Sequence, residues 1–182
     1  MKSLLIALLA VIQLGVPLAM IAKYEAALAF GQEFKFRCAP VDPIDNLRGR
    51  YVALNFDLKL PADDKYSSSE KIHWALIEPD ADGFAKAVSV SDYAPGRGTA
   101  IKYSTKWGSA ELPFNKYFMN ESLAPQAEQA YRAATARRID EAAATKASNC
   151  YLTVKIWRGI AVSEQLYING QPVEELLRAN GK

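Results

Sequence analysis

The sequence predicts an α+β fold: mainly antiparallel β-sheet, built as a sandwich or partly open barrel, with one alanine-rich α-helix packed on it and a transmembrane helix ahead of it. Three observations lead there. Apolar and polar side chains alternate along several segments, as in Val52, Leu54, Phe56, Leu58 and Leu60 against Asn55, Asp57 and Lys59, which is the period of a half-buried strand. Ser122 to Ala147 is dominated instead by alanine with Gln, Glu and Arg, a helix-forming composition. Leu4 to Ile21 carries no charge and only Gln13 as a clearly polar residue.

That uncharged run, about 18 residues, is at the short end of what crosses a bilayer, so the lipid bilayer is the expected partner of Leu4 to Ile21. A cleaved signal peptide needs small residues just after its apolar core. The best candidate, Ala27-Leu28-Ala29, lies beyond Lys23 and Glu25, so an uncleaved anchor is expected. Ala22 to Phe30 is rich in helix formers and should continue the helix until Gly31 stops it. Residues 1–30 then form the anchor and juxtamembrane helix, and 31–182 a single β-rich domain, whose extracytoplasmic placement follows from the family resemblance given below. Lys2 and the amino terminus on one side and Lys23 on the other give a weak positive-inside bias.

In the domain, Glu33 to Cys38 and Tyr51 to Leu60 read as strands joined through a turn with Pro40 and Pro43, which restrict the backbone. Asp63 to Ser69 reads as a loop. Ile72 to Glu78 and Phe84 to Ser91 flank Pro79-Asp-Ala-Asp-Gly83 as a hairpin. Asp80-Ala-Asp82-Gly83 resembles the start of a calcium loop but lacks the later acidic ligands, so a turn is expected. Thr99 to Ser104 is a further strand after Pro95-Gly-Arg-Gly98, and another begins near Phe114. The alanine-rich helix takes Ser122 as N-cap and accepts Pro125 in its first turn. Its thin apolar stripe is Leu123, Ala127, Ala130, Tyr131, Ala134 and Ile139. Cys150 to Trp157 and Ile160 to Ile168 form a hairpin about Arg158-Gly159, and Asn169-Gly170 signals another tight turn. Val173 to Arg178 makes a short closing helix. With no internal repeat or low-complexity linker, strands and helix are expected to share one core.

The most informative stretch is Gly49-Arg50-Tyr51-Val52-Ala53-Leu54-Asn55-Phe56, entered through a turn that holds Asp42, Pro43 and Arg48. It resembles the motif of the bacterial GDYXXLXY family, with Arg50 in place of the aspartate and Phe56 in place of the second tyrosine. Phe114 to Glu121 is similar to a second family element, matched at Tyr117, Phe118 and Glu121, while Asn115 replaces an acid. Leu166-Tyr-Ile-Asn-Gly-Gln-Pro-Val173 is similar to the family's closing hairpin. The resemblance covers nearly all of the chain after residue 25. It implies a single-pass protein of the bacterial inner membrane, its C-terminal domain in the periplasm, with no assigned biochemical activity and with an integral membrane protein as partner.

The chain has 182 residues, 50% hydrophobic and 23% charged, with 22 basic against 20 acidic side chains and a formal net charge of +2. That spread lacks the electrostatic footprint of a nucleic-acid binder. Arg132, Arg137 and Arg138 are followed by Asp140 and Glu141, so they read as a solvated helix face. Cys38 and Cys150 are the two cysteines, each in phase with the inward face of its strand. They are disulfide candidates in an oxidising compartment and buried thiols otherwise. His73 stands alone among apolar neighbours, so neither a metal nor a cofactor is expected.

The turn residues Asp42, Asp45 and Arg48 read as turn chemistry before acid/base chemistry, and no catalytic residue is assigned. Ser68 and Lys71 have the Ser-x-x-Lys spacing of some acyl-transfer enzymes but lie in a polar loop before a strand. Trp74 shares a phase with Ile72 and Leu76 and is expected in the core. Tyr151 and Trp157, on the face opposite Leu152 and Ile156, and Trp107 are the candidate contact surface. The function expected is a non-enzymatic accessory or interaction subunit. The alternatives are a cell-envelope enzyme of divergent serine-hydrolase type and a glycan- or peptide-binding module.

Overall fold

The computed structural model describes residues 2–41, 51–62, 69–135 and 150–180. Helix α1 covers Lys2–Phe30, with Pro17 inside it. From Val11 to Ile21 every side chain is exposed, so this apolar stretch is covered by no other part of the described chain. A helix that is apolar all round and buries nothing suits lipid, and α1 is long and apolar enough to cross a membrane. The helix meets the β-structure only at its end, where Ala27 is fully buried between half-buried Ala26 and Leu28. There the Gly31 N–H donates to Ala27 O at 2.9 Å, and Lys155 Nζ donates to Leu28 O at 3.0 Å. These two donors satisfy carbonyls that a helix end leaves open. A Cβ on Gly31 would lie 2.2 Å from Ala27 O, so only glycine fits this stop.

The strands are β1 (Gln32–Ala39), β2 (Tyr51–Ala53), β3 (Asn55–Phe56), β4 (Lys71–Pro79), β5 (Ala85–Ser91), β6 (Thr99–Lys106), β7 (Ser109–Glu111) and β8 (Lys116–Phe118). After α2 (Ala124–Thr135) come β9 (Cys150–Trp157), β10 (Ile160–Ile168), β11 (Gln171–Pro172) and α3 (Val173–Asn180). They form a five-stranded sheet in the order β11-β10-β9-β1-β3, a four-stranded sheet β5-β4-β6-β7 and a two-stranded ribbon β2-β8. All these pairings are antiparallel. The core lies between the inward rows Phe34, Phe36 and Cys38 of β1, Leu152, Val154 and Ile156 of β9, and Ile101 and Tyr103 of β6. Helix α2 closes it with Ala124, Ala127, Tyr131 and Thr135. Arg158-Gly159 and Asn169-Gly170 both take positive φ at their two residues, the tight-turn geometry that matches strand twist.

Four expectations change. The strand expected over Tyr51 to Leu60 is split. Its burial alternates through Leu60, but at Leu54 the chain leaves β8 and turns to β1, with Leu54 N–H donating to Asn115 O at 2.9 Å. Trp74 is half-buried and Ile72 is 61% exposed, because β4 turns Ala75 and Ile77 inward. Ser122 does not cap α2 through its side chain: its Oγ donates to Asn120 Oδ1 at 2.9 Å, and Asn120 O accepts from the Leu123 and Ala124 N–H groups. β7, a three-residue strand after the Trp107-Gly108 turn, carries no periodic signal and was not expected. The helix expected to reach Ala147 ends its described part at Thr135.

Candidate functional site

The family-like elements, far apart in sequence, meet in space. β2 pairs with β8 so that Tyr51 lies opposite Phe118, Val52 opposite Tyr117 and Ala53 opposite Lys116. Alternation then sorts the side chains. Val52, Leu54, Phe114 and Tyr117 are buried, and Phe114 packs against Phe36 and Phe56 with ring centroids 4.8 and 5.2 Å apart. On the other face Tyr51 and Phe118 are in contact at 5.7 Å, and Lys116 Nζ sits 5.3 Å from the Tyr51 ring. Phe118 is 70% exposed. The third element joins through its end: Tyr117 Oη donates to Glu174 Oε1 at 2.7 Å, and Gln165 Nε2 donates to Glu174 Oε2 at 2.6 Å. Burial first, and then Glu174, push the Tyr117 hydroxyl above its ordinary pKa, so it stays a donor.

A second buried cluster lies beneath the strand switch. Tyr131 of α2 donates its hydroxyl to Ala39 O at 2.7 Å and accepts from the Asn55 N–H at 3.1 Å. It thereby ties the helix to β1 and β3. The β1–β9 register pairs Arg37 with Tyr151, and its next position brings Cys38 opposite Cys150. Both thiols are buried, and no disulfide joins them. The hydrogen bond to Cys150, then burial, push the Cys38 thiol pKa up, which keeps it protonated and unreactive. Sequence alone could not pair Tyr131 with the motif, since one tyrosine in an alanine-rich helix carries no sign of its partner.

The candidate contact residues separate. Tyr151 stacks on Tyr167 at 4.8 Å and meets Phe84 edge-on at 5.8 Å, with Lys35 Nζ 5.7 Å from its ring. It is therefore half-buried, with part of its ring covered by side chains of its own chain. Phe84 gets there because Asp80 Oδ1 accepts from the N–H groups of Asp82 and Phe84 at 2.9 and 2.8 Å, while Arg37 pairs with Asp82 at 2.8 Å. Those bonds, the one from Phe84 foremost, hold the Asp80 carboxyl below its ordinary pKa. The calcium-like segment is thus a turn pinned to β1. Trp157 is half-buried beside a groove, whereas Trp107 is exposed at a hairpin tip. Asp42, Pro43, Arg48 and Gly49 lie outside the described residues, as does Ser68; Glu121 is exposed in the turn before α2.

One arrangement has the outline of a catalytic relay. His73 Nδ1 lies 2.7 Å from Asp92 Oδ1 and its Nε2 lies 3.2 Å from Thr105 Oγ1. Thr105 is 1% exposed on the inward face of β6, so its hydroxyl has no path to a substrate, and the relay reads as a structural hydrogen-bond chain. No group of three or more metal-ligating side chains gathers among the described residues.

These contacts make one unit of three sequence elements, and a family model for the GDYXXLXY protein matches residues 13–166. The chain belongs to the GDYXXLXY family. No curated protein and no solved structure matches it. The GDYXXLXY match takes in α1 from Gln13 onward, the ribbon of Tyr51 with Phe118, the Tyr131 cluster and both cysteines, and ends in β10 at Leu166.

Proposed function

We propose that this GDYXXLXY protein is a non-enzymatic accessory subunit, anchored by α1 in the bacterial inner membrane with its β-domain in the periplasm, and that it joins an integral membrane protein. The observation that carries this reading is the join at Gly31. Ala27 is buried against the β-structure, Lys155 caps the helix end, and no linker intervenes before β1. A domain held at a set height and angle suits a subunit whose partner sits in the same membrane.

The partner-facing surface is the exposed side of the β2–β8 ribbon. Phe118 and Tyr51 offer an aromatic anchor, the residue class enriched at interface centres, with Lys116 Nζ 5.3 Å from the Tyr51 ring at its edge. A photo-cross-linking residue in place of Phe118, expressed in intact membranes, is expected to give one discrete adduct with a multi-spanning protein. The same residue in place of Tyr93, which is 81% exposed on the β5–β6 connection, should give none. Adducts from both positions alike, or from neither, would refute the proposal.

A further inference from the structure

We infer that the β-domain touches the bilayer a second time, seating an anionic phospholipid headgroup in the groove between Phe30, Trp74 and Trp157, with Arg158 on its phosphate. The inference rests on the reading of α1 as a membrane span. The groove encloses about 370 Å³, and Phe30, the last residue of α1, forms part of its wall. α1 has 29 residues, which at helical rise is about 43 Å. That equals the full thickness of a bilayer with its headgroups, about 40–45 Å. With Lys2 in one headgroup layer, Phe30 lies in the other. Because α1 touches the β-structure only through Ala26 to Leu28, it leaves the domain directly, and the groove beside its end faces the membrane.

The lining suits that position. Trp74 rests on Gly159, where a Cβ would come within 2.5 Å of its ring; Phe30 is exposed, and both tryptophans are half-buried. Aromatic rings with polar edges concentrate at headgroup level. Cations are held over both indoles: the Arg158 guanidinium 4.7 Å from Trp157 and Lys102 Nζ 4.9 Å from Trp74. No carboxylate is among the residues that line the groove. Arg158 has a φ of 48° and stands at the tip of the turn between β9 and β10. Thr99 Oγ1 donates to Gln32 Oε1 at 2.8 Å and ties the start of β6 to the same foot. Trp107, at the other end of that strand, is about 25 Å away.

The full chain in lipid nanodiscs provides the test. Single-tryptophan variants keep Trp157 (Trp74→Phe, Trp107→Phe) or Trp107 (Trp74→Phe, Trp157→Phe), and the discs carry lipids brominated just below the headgroup. In phosphatidylglycerol discs the Trp157 emission should fall by more than half while that of Trp107 is unchanged. Arg158→Gln should bring Trp157 quenching down to the level seen in phosphatidylcholine discs. If Trp74→Phe destabilises the fold, Trp107→Phe and Trp157→Phe alone, both keeping Trp74, read the same difference. Equal quenching of Trp157 and Trp107, or none at Trp157 in protein that stays with the disc, would overturn the inference and leave the anchor reading intact. Protein that separates from the disc would overturn both.

Discussion

Replacing Tyr131 by phenylalanine removes one oxygen and keeps the ring, so it isolates what that hydroxyl does. Tyr131 is 1% exposed. Its hydroxyl donates to Ala39 O at 2.7 Å and accepts from Asn55 N at 3.1 Å, and both partners lie at the strand switch beneath the motif. The loss of each bond costs about 1 kcal/mol, and the part-buried Asn55 N–H, left without its acceptor, brings the total to about 2–3 kcal/mol. For a chain of this size that lowers the melting temperature by about 5–10 °C. Tyr131→Leu also removes most of the ring and should cost about 3–5 kcal/mol. The assay is thermal unfolding of detergent-solubilised protein, followed by circular dichroism. A Phe variant that melts with the wild type, while the Leu variant falls, would show that the cluster is held by packing alone and refute the hydrogen-bond argument.

Three further outcomes are expected. Burial first, and then nearby Cys38 for Tyr131 and Glu174 for Tyr117, raise both hydroxyls above the ordinary 10.0. Both phenols thus hold their protons more tightly folded than unfolded, so stability is complete below pH 10.0 and falls as pH rises beyond it; melting temperatures against pH should show this, with a shallower alkaline fall in Tyr117→Phe/Tyr131→Phe. Cys38 and Cys150, opposite in register, lie within disulfide reach by cross-strand spacing. Diamide in mild denaturant should therefore bridge them within one chain and add about 4–5 kcal/mol less strain; bridging only between chains would contradict the register. Gly31→Ala, whose Cβ would strike Ala27 O, should unwind the last turn of α1 and speed proteolysis near Phe30 well beyond Lys155→Met, which loses one hydrogen bond. Wild-type cleavage rates in both would mean that the join is not what holds the helix.

Much of the fold was legible because its signals are local. Gly159 and Gly170 sit where a two-residue hairpin needs positive φ, so β9 and β10 and the turn after them could be placed. The charge-free run Leu4 to Ile21 within α1 and the helix stop at Gly31 are likewise written in neighbouring residues. Trp74 was misplaced because β4 is apolar on both faces, Ile72 and Leu76 on one and Ala75 and Ile77 on the other, and periodicity cannot choose between two apolar rows. The packing of Phe84 on Tyr151 was not legible, because a turn some 67 residues earlier in the chain brings the two rings together.

Which segments extend, where they turn and which stretch suits lipid could be read from neighbouring residues, since propensity, turn chemistry and hydropathy act over a few residues. The split of the strand from Tyr51 at Leu54 to serve β8 and then β1, the reach of Tyr117 to Glu174 and the closing of the switch by Tyr131 arise only when the distant segments pack. Alternation tells a side chain to be buried, and Val52, Leu54 and Phe56 all obey it. It does not name the strand on the other side, because that choice is made by whichever pairing satisfies the backbone while the whole core packs.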